Sequence, residues 1–138
     1  AAQRLYEGHK VLTYPRTDSK ALPEDYVAKV DELLGDIATG SFSKAFVDIK
    51  QAAFFADAAK LIIKDGKQNS KRNFDNSKVG DHFAIIPTGQ LPKTTLGGDD
   101  AKIFELVVRR FLAALMKPSK WENVVRETVI SPTGKDAL

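Results

Sequence analysis

The stretch over residues 99–116 constrains the fold more than any other part of the sequence. Its apolar residues recur at helical spacing and form a face too broad for an isolated surface helix. They are Ile103, Phe104, Val107, Val108, Phe111, Leu112 and Leu115. Asp99 and Asp100 stand at the start, where a helix favours negative charge, and Pro118 follows the end. The sequence therefore predicts a central core helix that other elements must cover.

Three further helices are predicted before the core helix. The first ends near Tyr6 with Gly8 as a left-handed cap, and the second begins at Pro23 and stops at Gly35. The third runs over residues 43–57. Its predicted apolar stripe consists of Phe46, Ile49, Ala53 and Phe54.

Short extended segments are predicted between the helices. One covers residues 9–14 with Val11 and Leu12 buried, another covers residues 79–88, and residues 121–130 alternate as a strand does. The predicted fold class is mainly α with a few short β-strands, as a single domain over residues 1–138.

Composition limits the possible chemistry. The 138 residues suit one domain with its own core. The absence of cysteine excludes disulfides and thiolate chemistry, and His9 and His82 are too far apart in sequence to suggest a metal site. A net charge of +3 permits nucleic-acid binding, and no apolar run is long enough to cross a bilayer, so we expect a cytoplasmic protein. Because Ala1 lies in a helical pattern without a start signal, we expect a longer parent polypeptide.

The hexapeptide Tyr-Pro-Arg-Thr-Asp-Ser at residues 14–19 carries most of the chemical information. Pro15 keeps the preceding residue extended, so Tyr14 lies at a stiff junction between strand and loop. Phenols ionise with a pKa of about 10, and a cation such as Arg16 favours the phenolate and can hold a phosphate. This pattern fits a tyrosine that attacks a phosphodiester. On spacing alone, an aromatic residue that ends a strand before an ordinary proline turn is an open alternative.

Residues 66–78 are interpreted as a mobile basic loop or hairpin. The segment is polar and lacks helical periodicity, and with Lys60 and Lys64 it gathers six basic residues against two acids. Lys71 and Arg72 lie in its middle. Phosphate contact and a solvated surface loop are both open interpretations.

Four motifs occur in an order that resembles type IA DNA topoisomerases. They are Ala-Gln-Arg-Leu-Tyr-Glu at 2–7, Leu-Thr-Tyr-Pro-Arg-Thr-Asp-Ser at 12–19, Asp-His-Phe-Ala-Ile-Ile-Pro-Thr at 81–88 and Val-Arg-Arg-Phe-Leu-Ala at 108–113. The second and third motifs are similar to the topoisomerase III branch of the family. The resemblance covers most of the chain and implies the winged-helix-like lobe that carries the active-site tyrosine.

The resemblance implies a role for three residues. Tyr14 matches the nucleophile that forms a 5′-phosphotyrosine bond with one DNA strand, while another strand passes before resealing without ATP. Arg16 matches the cation beside the scissile phosphate, and His82 matches a histidine that contacts phosphate or handles a proton. Both residue types suit phosphate, since a guanidinium binds it bidentately and an imidazole donates to it in either protonation state.

Five further residues are candidates for contact with DNA: Thr13, Thr17, Asp18, Lys71 and Arg72. The two threonines have hydroxyls that suit phosphate but also suit a turn. Asp18 either orients Arg16 or caps the following turn.

The resemblance also implies what lies outside this sequence. The family holds Mg²⁺ in a separate carboxylate-rich Toprim domain, and no closely spaced Asp-x-Asp-x-Glu pattern occurs here. We therefore expect single-stranded DNA and the other domains of the same polypeptide as partners, and an isolated chain that is inactive. The alternatives are a free-standing winged-helix-like nucleic-acid-binding module without catalysis, and a scaffold in which the hydroxyl of Tyr14 is buried far from Arg16.

Overall fold

Four α-helices make up most of the regular structure in the computed structural model, which describes residues 1–46 and 48–130. They are α1 (Ala2–Glu7), α2 (Val27–Ala38), α3 (Ile49–Asp65) and α4 (Gly98–Leu115). Short 3₁₀ turns lie at Glu24–Tyr26, Ser41–Ala45 and Asn76–Lys78. The mainly helical fold class is confirmed. The winged-helix-like shape and the assignment of residues 1–138 to one domain stay predictions, and residues 131–138 lie outside the described part.

Helix α4 lies at the centre of the fold, as its broad apolar face predicts. Phe104 and Val108 are completely buried, and Ile103 and Val107 beside them are half-buried. Helices α1 and α3 both pack against α4, and α2 packs against α3. Because apolar area of α4 is removed from water against both neighbours, this burial stabilises the packing of α1 and α3 on α4.

Helix α3 begins later than predicted. The side chain of Asp48 caps its first turn by accepting a hydrogen bond of 2.8 Å from the backbone N–H of Lys50. Such a cap satisfies one of the free N–H groups at a helix start, so it determines where the helix begins. The predicted start at residue 43 is wrong, because that position belongs to a separate 3₁₀ turn. The helix also continues past the predicted end at residue 57 to Asp65, and it stops at Gly66, which has a positive φ of 83°.

The buried face of α3 also differs from the predicted stripe. Ala53 and Phe54 are exposed, whereas Phe55 and Ile62 are buried against the core. The prediction of Phe46 as buried is confirmed, and the side chain of Ile49 lies outside the described part. Side chains one position apart lie on different faces of a helix, so Phe54 faces solvent where Phe55 faces the core.

Helix α2 continues through Gly35 and ends at Ala38, so the predicted stop at Gly35 is wrong. The buried face continues past the glycine to Ile37. Packing of this face outweighs the roughly 1 kcal/mol that a glycine costs inside a helix. The chain turns at Gly40 instead, which has a φ of 79°.

Gly8 ends α1 without the left-handed conformation predicted for it. Its φ and ψ are −80° and −57°, and a Cβ there would lie 2.9 Å from the carbonyl oxygen of Arg4. Glycine is therefore needed for close approach of the backbone. The left-handed residue is Lys10, with a φ of 64°, and it leads directly into the buried pair Val11 and Leu12.

Extended pairing in the described part of the chain is limited to two isolated bridges. Leu12 pairs antiparallel with Pro87, and Leu22 pairs parallel with Phe74. The strand predicted over residues 121–130 is wrong: the segment has no regular secondary structure and is exposed throughout. An alternating pattern forms a strand only where a partner edge is present. No helix in the described part is both long and apolar enough to span a membrane.

Replacing Phe104 by Ala tests the role of α4. The ring of Phe104 is fully buried, and its centroid lies 5.6 Å from that of Phe46. We expect the free energy of unfolding, measured by urea denaturation, to fall by about 3–5 kcal/mol. Leu106→Ala shortens an exposed side chain of the same helix and should change the free energy of unfolding by about 0.5 kcal/mol or less. Equal losses in the two variants would contradict the central position of this face.

Candidate active site around Tyr14

The site begins where two distant segments of the chain pair. The backbone N–H of Thr13 donates to the carbonyl of Ile86 at 3.0 Å, and the N–H of Thr88 donates to the carbonyl of Val11 at 3.0 Å. The bridge between Leu12 and Pro87 lies between these bonds. The pairing brings the start of the 14–19 hexapeptide next to the segment that follows His82.

The hydroxyl of Thr13 strengthens the junction. It donates to the carbonyl of Ala84 at 3.1 Å and accepts from the N–H of Ile86 at 2.9 Å. One side chain thus satisfies a donor and an acceptor on the opposite segment, 71 and 73 residues away in sequence. Thr13 therefore has a structural role, and its contact with DNA stays a prediction.

Tyr14 is held between two other rings. The centroid of the His82 ring lies 4.0 Å from that of Tyr14, at an angle of 33° between the planes. The edge of Tyr6 meets Tyr14 from another direction, with centroids 5.4 Å apart and an angle of 82°. Tyr14 is half-buried and His82 is exposed, so the stack lies at the protein surface. Offset and edge-to-face packing of this kind restricts the direction in which the phenol points.

The loop after Tyr14 is bound to the same segment. The hydroxyl of Thr17 donates to the carbonyl of His82 at 3.2 Å and accepts from the N–H of Ser19 at 3.1 Å. The hydroxyl of Ser19 in turn donates to the carbonyl of Lys78 at 2.9 Å. These bonds hold both sides of an open groove of about 700 Å³, which we call the Arg16 groove. Its lining is Pro15, Arg16, Thr17, Asp18, Ser19, Lys78, Gly80, Asp81 and His82.

The groove brings together some of the predicted residues and not others. Arg16, Thr17, Asp18 and His82 all line it. Tyr14 does not, although its ring is stacked on His82 at the edge of the groove. No hydrogen bond or ion pair between Arg16 and Asp18 is present among the described residues, so the interpretation that Asp18 orients Arg16 has no contact to support it.

The basic segment 66–78 is a largely irregular loop with several contacts to the rest of the fold. Lys67 forms an ion pair with Asp31, the N–H of Gln68 donates to the carbonyl of Leu115 at 3.0 Å, and Phe74 is buried. The segment forms no hairpin among the described residues, and its mobility stays a prediction. The segment is irregular because its hydrogen bonds go to other elements and to a short 3₁₀ turn. Lys71 and Arg72 in its middle are exposed.

A capped turn supports the far side of the Arg16 groove. The carboxylate of Asp75 accepts from the hydroxyl of Ser77 at 2.6 Å and pairs with Lys78 at 2.9 Å. The hydrogen bond from Ser77, followed by that from Lys78, lowers the pKa of Asp75 from 3.8 to about 2. The turn therefore stays charged and capped over the whole physiological range.

Arg4 and Tyr6 are parts of the site that sequence reasoning missed. Arg4 binds Asp100 of α4 through two hydrogen bonds of 2.8 and 3.1 Å, and the guanidinium holds the pKa of that carboxyl below its usual range. Helix α1 is thereby fixed to α4, and Tyr6 on α1 reaches Tyr14. The motif at residues 2–7 contained both residues, but nothing in its spacing indicates which distant side chain each one meets.

The described residues contain no group of three or more His, Asp or Glu side chains that could hold a metal ion.

Comparison with known proteins agrees with the family that the four motifs indicate. A family model described as DNA topoisomerase matches residues 1–135. The chain belongs to this family. Its predicted resemblance to the topoisomerase III branch of the type IA enzymes is confirmed, because relatives named DNA topoisomerase 3 match over most of its length.

Three of these relatives show the extent of the similarity. The chain is 41% identical over 124 residues to DNA topoisomerase 3 of Shouchella clausii strain KSM-K16, a match that covers 88% of this chain and 15% of the relative. It is 40% identical over 129 residues to the protein of the same name from Bacillus cereus strain ZK / E33L, a match that covers 93% of this chain and 16% of that protein. The chain is also 38% identical over 123 residues to DNA topoisomerase 3 of Staphylococcus haemolyticus strain JCSC1435, a match that covers 88% of this chain and 16% of that protein. The chain thus spans about one sixth of the length of these topoisomerases.

Replacing Thr13 by Val tests the junction. Valine has a similar shape but leaves the N–H of Ile86 and the carbonyl of Ala84 without the threonine hydroxyl. We expect the free energy of unfolding to fall by about 1–3 kcal/mol, measured by urea denaturation. Thr95→Val, at an exposed position, is the control and should be close to neutral. A neutral result for Thr13→Val would show that the hydroxyl does not hold the segments together.

Acid should release the capped turn of Asp75. Because the pKa of Asp75 is lower in the folded chain than in the unfolded chain, its contribution to stability is complete above the unfolded value and is lost as pH falls from 3.8 to about 2. The difference in thermal midpoint between the wild type and Asp75→Asn should be constant above about pH 5 and shrink below it. A difference that does not change with pH would contradict the lowered pKa.

Proposed function

We propose that this chain is the tyrosine-bearing part of a type IA DNA topoisomerase that cuts and reseals one strand of DNA. Tyr14 is the nucleophile, Arg16 binds the phosphate, and His82 orients the phenol and contacts the phosphate. The observation that carries the proposal is the stack of Tyr14 on His82 at 4.0 Å, at the edge of a groove lined by Arg16. Family membership and the presence of these three residues in matching motifs support it.

The geometry suits attack on a phosphodiester at the protein surface. Tyr14 is half-buried, so packing fixes its ring, and it lies beside the exposed His82 at an open groove that a DNA backbone can enter. The guanidinium of Arg16 is exposed and lines that groove. A fixed cation there neutralises charge on the phosphate as it accumulates in the transition state.

The proposed step conserves phosphate ester bonds. The bond between Oη of Tyr14 and phosphorus forms while the bond between phosphorus and the 3′ oxygen breaks. The phenol loses its proton to solvent and the departing 3′ oxygen gains one. The products are a 5′-phosphotyrosine and a 3′-hydroxyl, and the reverse reaction reseals the strand. Because the ester bond is stored in the protein, resealing needs no ATP.

The rest of the proposed enzyme lies outside this chain. The relatives are about six times longer, which leaves room for a domain that holds Mg²⁺ and for the remainder of a DNA-binding groove. We propose that these parts act with Tyr14 on single-stranded DNA, that the enzyme works in the cytoplasm, and that the chain alone is inactive. Lys71 and Arg72 are proposed to contact DNA because both are exposed cations.

Replacing Tyr14 by Phe in the full-length polypeptide tests the nucleophile. The wild type should form a covalent adduct with labelled single-stranded DNA that survives denaturing electrophoresis, and Tyr14→Phe should form none. Affinity for the same DNA should stay within a factor of a few, because the variant loses only a hydroxyl. Tyr6→Phe is the matched control and should still form the adduct. An adduct that persists in Tyr14→Phe would rule out this residue. DNA binding without any adduct in the wild type would favour the alternative of a binding module without catalysis.

Replacing Arg16 by Ala tests the phosphate contact. Loss of one donor to the transition state should slow cleavage about 10²–10³-fold in single-turnover experiments. Arg126→Ala removes an exposed arginine far along the chain and should leave the cleavage rate unchanged. Unchanged kinetics for Arg16→Ala would remove this residue from the mechanism.

A further inference from the structure

A second cleft, of about 980 Å³, lies next to the Arg16 groove. It runs between the segment around Leu22, the segment 84–86 and the C-terminal part of α4, and it extends to residues 117–119. We call it the α4 cleft. Of its lining residues, only Thr17 and Arg72 have been named above as candidate contacts with DNA.

The charge of the α4 cleft has one sign. Lys20, Arg72, Arg110 and Lys117 line it, and no aspartate or glutamate does. This is unusual in a chain with 21 basic and 18 acidic residues. All four cations are exposed, and none takes part in an ion pair with another described residue. Other exposed lysines on the surface, such as Lys29 and Lys60, are paired with a carboxylate. The cleft therefore presents charge that the protein itself does not neutralise.

The floor of the α4 cleft is apolar. Ile85 and Met116, which are half-buried, and Ile86 and Phe111, which are 5% exposed, line it together with the four cations. An apolar floor with a cationic rim is the combination that binds single-stranded nucleic acid, since the bases lie on the floor while the phosphates meet the cations. A duplex would keep its bases away from such a floor.

The α4 cleft is continuous with the Arg16 groove. Thr17 and Ser19 line both. These two side chains are held in place by their bonds to the carbonyls of His82 and Lys78, so the boundary between the two depressions is fixed. A strand that leaves Tyr14 through the Arg16 groove can pass over it without leaving the surface of this chain.

We propose that the α4 cleft holds the single DNA strand that stays attached to Tyr14 after cleavage. The inference rests on the proposed function, which leaves the 5′-phosphoryl end covalently bound to this chain and the 3′-hydroxyl end free. The nucleotides that follow the tyrosine-linked phosphate must lie against this chain first. The α4 cleft gives them cations for their phosphates and an apolar floor for their bases, and it thereby keeps the broken end in place for resealing.

A double variant tests the cleft without touching the Arg16 groove. Arg110→Ala with Lys117→Ala removes two cleft cations, and Lys29→Ala with Lys60→Ala removes two surface cations outside both depressions. The probe is fluorescein-labelled oligothymidylate, and fluorescence anisotropy gives its affinity for the chain over a series of salt concentrations. If each cleft cation binds one phosphate, the cleft variant should lose about 1.4 from the slope of log affinity against log salt, and about 10- to 30-fold in affinity at 0.1 M salt. The control variant should change both quantities little.

A photocrosslinking experiment on the full-length polypeptide locates the strand. Oligonucleotides carry one 5-iodouridine either on the 3′ side or on the 5′ side of the cleaved phosphate. We expect crosslinks to peptides that contain residues 110–119 from the 3′-side probe only, and fewer of them in the cleft variant.

The outcomes separate this inference from the proposed function. If the adduct depends on Tyr14 but the cleft and control variants lose affinity equally, or crosslinks to residues 110–119 are missing, the α4 cleft does not hold the strand and the nucleophile assignment stands. If the cleft variant lowers the thermal midpoint of the full-length polypeptide without changing DNA affinity, another part of the protein covers the cleft and the inference fails. If Tyr14→Phe still forms the adduct, the proposed function fails whatever the cleft variant does.

Discussion

The pairing of residues 11–13 with residues 86–88 is the interaction on which the rest of the site depends. It consists of two backbone hydrogen bonds, a single bridge and the two bonds made by the hydroxyl of Thr13. Without it, nothing in the local sequence would bring Tyr14 and His82 together, because 68 residues separate them. Burial of apolar side chains stabilises this short pairing. Val11 and Leu12 are buried in one of the paired segments, and Ile86 is buried in the other. The geometry around Tyr14 is thus fixed by a few polar bonds on an apolar base.

The surface around the site divides into paired and unpaired charges. Arg4 with Asp100, and Asp75 with Lys78, use their charges to hold α1 and the 3₁₀ turn in place. The cations of the Arg16 groove and the α4 cleft that would face DNA are mostly free of such partners among the described residues. Exposed ion pairs stabilise little, so the paired residues matter mainly by fixing the position of neighbouring elements. The unpaired cations are the ones that an anionic strand can neutralise.

The sequence predicted those features that depend on residues close together in the chain or on motifs of the family. The apolar face of α4 was predictable because its period is helical and unbroken. Tyr14, Arg16 and His82 were found through the motifs. The start of α3 differs from the prediction because Asp48 caps the helix after the 3₁₀ turn, and α2 continues through Gly35 because tertiary packing outweighs local propensity. The strand over residues 121–130 was predicted from alternation alone, which does not reveal whether a partner edge exists. The roles of Arg4 and Tyr6 depend on contacts with residues distant in sequence, which no local pattern encodes.

The most direct test of the central claim is a nuclear Overhauser spectrum of the isotope-labelled chain. With ring centroids 4.0 Å apart, the aromatic protons of Tyr14 should show strong cross-peaks to the ring protons of His82, together with backbone contacts between Thr13 and Ile86. If the backbone contacts were present but the ring of Tyr14 showed no cross-peak to His82, the pairing would not deliver the phenol to the groove, and the account would be contradicted.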